Sequence, residues 1–209
     1  MEDRLIAYHQ RQERMREYKE AAAKSCYSLI IVVVALILLR PVMVNQMLSL
    51  AGAYSGAGLL DESMRQCDKA LLLDGENSGA WRQSARIHMA RGNREMAREA
   101  YQKAVQADPS NRLAHLELAA LYVEDDRHQL AIPYLEQVRR LGPDKATVYG
   151  RTSTSCHRAS LEMLILCYEK EGDPAKLEMV LKEASIFYPD YGKIERHSAR
   201  PSENPGGES

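Results

Sequence analysis

Arg82 and Arg86 stand four residues apart. On a helix that is one turn, so both guanidinium groups face the same way. Arginines so placed can fork onto a carboxylate. Cys156-His157 is the nearest approach to a metal-ligand pair. Two adjacent side chains without partners fall well short of the four ligands a structural zinc site takes. His88 and His115 read as packed, hydrogen-bonded residues rather than catalysts. No phosphate loop, dinucleotide fingerprint, H-E-x-x-H, C-x-x-C or G-x-S-x-G occurs. The sequence therefore points away from an enzyme, a metal site or a bound cofactor, and towards recognition by a surface. A formal net charge of −1 offers no basic field for nucleic acid.

The elements that would carry the arginines follow from a spacing. Tyr54, His88 and Tyr122 recur every 34 residues, and their neighbours share the frame. The unit 78–111 reads Trp81, Ser84, Ala85, His88, Gly92, Ala97, Tyr101, Ala104, Pro109. The unit 112–145 reads His115, Leu118, Ala119, Tyr122, Ala131, Leu135, Val138, Pro143, and 44–77 reads Met47, Leu50, Ala51, Tyr54, Gly58, Ala70. In 44–77 Ser63, Cys67 and Gly75 depart from the pattern. A fourth unit, 158–191, repeats the order with Leu161, Leu164, Tyr168, Gly172, Ala184 and Pro189 after a displacement. Tyr122 to Tyr168 and Pro143 to Pro189 are both 46 residues, which isolates a 12-residue insertion at 146–157.

Each unit predicts two amphipathic helices and a short turn. Gly58, Gly92 and Gly172, and Asp125-Asp126 in the third unit, mark the turns. Small residues at Ala51, Ala85 and Ala119 let paired helices approach closely, and the prolines stop the second helix. Residues 192–209, with Pro201, Pro205, Gly206 and Gly207, predict a disordered tail. With no closing helix beyond 191, the last hairpin must cap itself, with Lys176, Glu178, Lys182 and Glu183 as its polar face.

A 34-residue period carrying these residue types resembles the tetratricopeptide repeat family, over residues 44–191 apart from the insertion. The resemblance implies an all-α solenoid of four helical hairpins in which the first helices line a concave groove for a peptide or a partner helix. Carried over residue by residue, that groove takes Arg82, Arg86 and Met89 from the second unit. Leu113, Leu116, Ala120 and Val123 come from the third, and Glu162 and Leu166 from the fourth. A segment with apolar side chains and one acidic group would suit the arginines and the apolar strip beside them. The Lys and Asn pattern of repeats that hold chaperone C-terminal tails is missing.

Ahead of the repeats, Cys26 to Leu39 reads CYSLIIVVVALILL and has no polar face. Taken from Ala21 to Val44 it reaches the roughly 20 residues a bilayer span needs. Lys24 and Arg40 stand at its edges, where long basic side chains can snorkel. The reading is one transmembrane anchor at 25–43, preceded by a charged cytoplasmic helix at 1–24 and broken from the repeats by Pro41. Arg11, Arg14, Arg16, Lys19 and Lys24 precede the span, and only Arg40 follows it before Arg65. By the positive-inside rule the N-terminus is cytoplasmic and the repeats are extracytoplasmic, periplasmic in a bacterium. The expected protein is a single-pass adaptor of the inner membrane that binds a protein or peptide partner and supports assembly of a membrane or envelope complex. One alternative is a permanent accessory subunit of a larger membrane complex, docked through the N-terminal helix and span. The other is a cofactor-delivery helper working through Cys156 and His157. Spacing alone leaves open whether Cys156 and Cys167 pair.

Overall fold

The computed structural model describes residues 2–143 and 156–189, with the side chains of residues 2–13 and Glu17 outside that description. The body of the expected insertion and the 192–209 tail therefore lie outside the described residues. The elements are α1 (Glu2–Gly56), α2 (Leu60–Leu73), α3 (Ser78–Ala90), α4 (Arg94–Ala107), α5 (Arg112–Glu124), α6 (His128–Arg140), α7 (Cys156–Glu171) and α8 (Pro174–Phe187). No strand occurs among the described residues.

Local chemistry accounts for the hairpin boundaries. Asn77 and Asn111, one period apart, cap α3 and α5. Their side-chain oxygens accept from the amides of Ala80 and Ala114 at 3.0 and 3.1 Å. Asp173 caps α8 at the Lys176 amide, and Pro174 takes the first turn, where no N–H is needed. The turns at Gly58, Gly92 and Gly172 all have positive φ, and the equivalent third turn places Asp126 there at φ 56°.

Consecutive helices pack antiparallel, and each hairpin packs on the next. Ala51, Ala85, Ala119, Ala97 and Ala131 are fully buried where the helices cross. In the first hairpin Ser63 takes the alanine place and satisfies its hydroxyl by donating to the Ala51 carbonyl at 2.7 Å. The chain between α6 and α7 does not interrupt the stack. α7 lies against α5 and α6, and Leu161, Leu164 and Ile165 join one core with Leu118 and Leu135.

Three expectations need correction, and one open question is closed. α1 is not broken at Pro41: it runs unbroken from Glu2 to Gly56, 55 residues and about 80 Å at 1.5 Å per residue. Proline costs a helix interior on the order of 3 kcal/mol through its missing N–H and its ring. Tertiary contacts hold the helical course on both sides. Before Pro41, the Arg40 Nε donates to the Leu73 carbonyl at 2.5 Å. After it, Val44 is buried against Ala70 and Ala80. Secondly, Cys156 and His157 are not loop residues but the first residues of α7, and His157 is fully buried. Burial beside Phe187 and Tyr188 draws that end of the expected loop into the helix. Thirdly, Cys156 and Cys167 lie three turns apart on one straight helix, about 16 Å along its axis. A disulfide needs Cα atoms within roughly 7 Å, so the pairing is excluded. Cys167 is a buried thiol, its Sγ 4.0 Å from the His128 ring. Finally, Glu183 does not join the outward face of α8. It turns inward to Arg139 at 2.7 Å and to the His157 ring at 3.4 Å, because the half-buried Arg139 guanidinium offers its carboxylate a charged partner. Met179, Ile186 and Phe187 remain on the outside of α8 with Lys176, Glu178 and Lys182.

Within α1, the stretch Arg14–Gly56 contains a window of mean hydropathy 2.5, of which 6% is buried. By length and composition it can cross a membrane. Its apolar side chains from Leu29 to Leu39 face outwards around the whole helix.

Candidate functional site

Between α3 and α5 lies a cleft of about 270 Å³. Arg86 and Met89 line it from α3, Glu117, Ala120, Leu121 and Glu124 from α5, and Tyr101 from α4. The repeat period explains the meeting. Arg86 and Ala120 are 34 residues apart and so occupy equivalent places on neighbouring first helices. Tyr101, at the aromatic position of its second helix, is 4% exposed.

The nine residues assigned to the groove by resemblance divide. Arg86, Met89 and Ala120 line the cleft. Arg82 sits beside it but is engaged: its Nη1 donates to Glu117 Oε1 at 3.1 Å. The twin-arginine fork is therefore split, with one cation spent inside the array and one exposed. Among the described residues Arg86 has no carboxylate within ion-pair distance. Leu116 and Val123 are half-buried and pack against the core. Leu113 and Leu166 are exposed but do not line the cleft, and Glu162 accepts from Arg158 at 2.9 Å.

Glu117 was missed from sequence. It lies between Leu116 and Leu118 and reads as a solvated residue. The available signal was its offset from Arg82, one period plus one residue, which puts a cation and an anion on facing helices. In the fold, burial pushes its carboxyl above the ordinary glutamate range, although Arg82 and Arg86 both pull it down. Its Oε2 is buried without a hydrogen-bond partner among the described residues. The Tyr101 phenol is raised well above its usual value, by burial first and by the neighbouring Glu117 charge second.

Next to the cleft, α4 grips the end of α5. Arg94 donates to Asp125 at 2.8 Å and to Glu124 at 3.0 Å, and Arg98 donates to Asp125 at 2.6 Å. This clamp fixes the angle between the second and third hairpins, and so the width of the cleft. The histidines stand apart from it in role. His115 is buried with its Nε2 3.1 Å from the Pro109 carbonyl. His88 is half-buried, and its Nδ1 has no hydrogen-bond partner among the described residues. Burial lowers the pKa of both rings. No group of three or more His, Cys, Asp or Glu is arranged to hold a metal among the described residues.

The profile of the tetratricopeptide repeat family matches residues 78–121, the two helices of the second hairpin and most of α5. The chain thus carries a tetratricopeptide repeat over residues 78–121. Solved structures of repeat proteins share its fold. A crystal structure of MamA is 20% identical with a TM-score of 0.53, covering 73% of this chain and 76% of that one. PilF of Pseudomonas aeruginosa is 18% identical with a TM-score of 0.58, covering 74% and 65%. The Yersinia enterocolitica type III secretion chaperone SycD, solved with a peptide of the translocator YopD, is 20% identical with a TM-score of 0.51, covering 61% and 93%. At these identities the likeness is one of fold. No curated protein sequence matches the chain.

Proposed function

We propose that this tetratricopeptide-repeat chain is a membrane-anchored adaptor that holds a segment of a partner polypeptide during assembly of a membrane or envelope complex. The observation that carries the reading is the unpaired Arg86 beside Met89 and Ala120, in a cleft on an array led by an exposed apolar helix. The partner segment supplies one carboxylate to Arg86 and a small apolar side chain to Met89 and Ala120. Arg82 and Glu117 neutralise each other and set the floor. A similar fold holding a translocator peptide in SycD supports a peptide as the ligand. Residues 25–43 span the bilayer, the N-terminus is cytoplasmic and the repeats are extracytoplasmic.

Two experiments test this. In affinity capture from crosslinked membranes, Arg86→Glu lowers partner recovery about tenfold, the worth of one charge-assisted contact, and Arg86→Lys lowers it less. Unchanged recovery with Arg86→Glu refutes the cleft. A C-terminal reporter active only in the cytosol would refute the orientation. The rival reading, a permanent accessory subunit, draws on the part of α1 before the span, where Met15 and Tyr18 are exposed. It predicts co-purification in mild detergent that survives Arg86→Glu and is lost when residues 1–20 are removed.

A further inference from the structure

We propose that the junction of α1 with the first hairpin binds the headgroup of a phosphoethanolamine lipid. The inference rests on the membrane-spanning reading of α1. A cleft of about 300 Å³ lies there, lined by Ile37, Arg40, Pro41, Val44, Asn45, Asp74 and Asn77. Its depth in a bilayer follows from the charges. Residues 25–39 hold no charged side chain and cover about 22 Å at 1.5 Å per residue, against a hydrocarbon core of about 30 Å. Arg40 thus lies just inside the hydrocarbon edge, and its guanidinium must reach the headgroup layer. It does so along the first hairpin, where α2 returns beside α1. Ser63 meets Ala51, Ala70 meets Val44, and Leu73 and Asp74 meet Arg40. The end of α2 therefore sits at headgroup depth.

The chemistry of the cleft is that of a zwitterion. Arg40 spends its Nε on the Leu73 carbonyl, while its Nη2 lies a loose 3.7 Å from Asp74 and is half-exposed, free to donate to a phosphate oxygen. Asp74 accepts from the Asn77 amide at 3.1 Å and keeps capacity for an ammonium N–H. One cation and one carboxylate side by side match a headgroup carrying both charges. A phosphoglycerol head offers Asp74 hydroxyl donors but no positive charge, and a quaternary choline has no N–H to give it. The apolar wall of Ile37, Pro41 and Val44 continues onto the outward-facing apolar surface of α1, which is where the acyl chains of that lipid would run. A separate observation agrees with the depth. Leu72 is 86% exposed on α2 at this level, where an aliphatic side chain meets lipid rather than water.

The test is native mass spectrometry of the full chain released from mild detergent with phosphatidylethanolamine, phosphatidylglycerol, phosphatidylcholine or inorganic phosphate. Phosphatidylethanolamine should be retained in preference to the other lipids. Arg40→Gln should lower its retention about tenfold, as expected for loss of one charge-assisted bond, while Arg65→Gln on the outer side of α2 leaves it unchanged. Thermal unfolding of Arg40→Gln confirms that the first hairpin stays folded. Equal retention by Arg40→Gln, equal retention of phosphatidylglycerol, or displacement by inorganic phosphate alone overturns the proposal while the anchor stands. Release of the native chain from membranes by alkaline carbonate overturns the anchor and the headgroup site together.

Discussion

Removing one partner of the Arg82–Glu117 pair has opposite consequences depending on which partner is removed. The two meet at 3.1 Å with side chains 21% and 28% exposed. At an effective dielectric of about 20 their attraction is on the order of 5 kcal/mol. Yet the Glu117 carboxyl stands above its ordinary range in spite of that attraction and of Arg86. Desolvation of the carboxylate therefore exceeds what the two arginines return, and the ionised side chain costs stability at neutral pH. Arg82→Gln leaves that carboxylate with both oxygens poorly satisfied, and the expected loss is about 2–3 kcal/mol, as for a charged group deprived of its partner. Glu117→Gln removes the desolvated charge and keeps an acceptor for Arg82, so stability is unchanged or rises by up to about 1 kcal/mol. The double variant should resemble Glu117→Gln alone. The pH sign follows from the raised folded value. The folded chain binds this proton more readily than the unfolded chain, so the wild type gains relative to Glu117→Gln as the pH falls through the folded value, and the gain is complete below the ordinary glutamate value. Thermal unfolding of the full chain in mild detergent, followed by circular dichroism, reads this as melting shifts of about 2–4 °C per kcal/mol. A Glu117→Gln loss as large as that of Arg82→Gln refutes the reasoning, because it would mean that the pair is net stabilising.

Three further outcomes follow from the geometry. Asp126→Gly should raise the melting temperature by the equivalent of about 1 kcal/mol, since Asp126 holds the left-handed turn at φ 56° that the other three hairpins give to glycine; no change would mean that its exposed 3.6 Å contact with His128 compensates. Asp125→Asn should cost about 1.5–3 kcal/mol at neutral pH by weakening the Arg94 and Arg98 clamp. Burial works to raise the Asp125 carboxyl, but those two arginines win and hold it below its usual value, so the wild-type advantage is present above the unfolded value and is lost as the pH falls through the folded one. A difference that persists in strong acid would contradict that. Burial pushes the Cys67 and Cys167 thiols to about 11, so both should resist alkylation in the native chain and react on unfolding, with mass spectrometry of the labelled peptides as the readout; fast native labelling of either would show that its hairpin opens readily.

The periodic part of the fold was legible because it is local. Ala85 and Ala119, Gly58 and Gly92, and Asn77 and Asn111 each recur at one period. Each acts through backbone geometry that its own residue type imposes: close approach, positive φ, or capping of the next helix. That is enough to place the hairpins, and a shared displacement of Tyr168 and Pro189 is enough to see that the fourth one follows an insertion. Proline was misleading for the same reason. Pro41 reads as a stop when only its own missing N–H is counted, whereas the contacts that carry α1 past it come from Ala70, Leu73 and Ala80, which lie 29 to 39 residues further along the chain.

The candidate site lies at the boundary between the two kinds of information. The types and spacing of Arg82 and Arg86 put both on one face of a helix, and the repeat period put Ala120 on the neighbouring face. Nothing in that pattern distinguishes the two arginines. The tertiary structure does so by bringing Glu117 across from α5 to one of them and leaving the other open to the cleft. The same holds at α8, where Glu183 was drawn inward by Arg139 and Met179, Ile186 and Phe187 were left outside. Backbone preferences repeat along a chain and can be read from it. Which charge finds which partner depends on distances between helices that only packing sets, and in this protein those distances decide which cation remains available to bind.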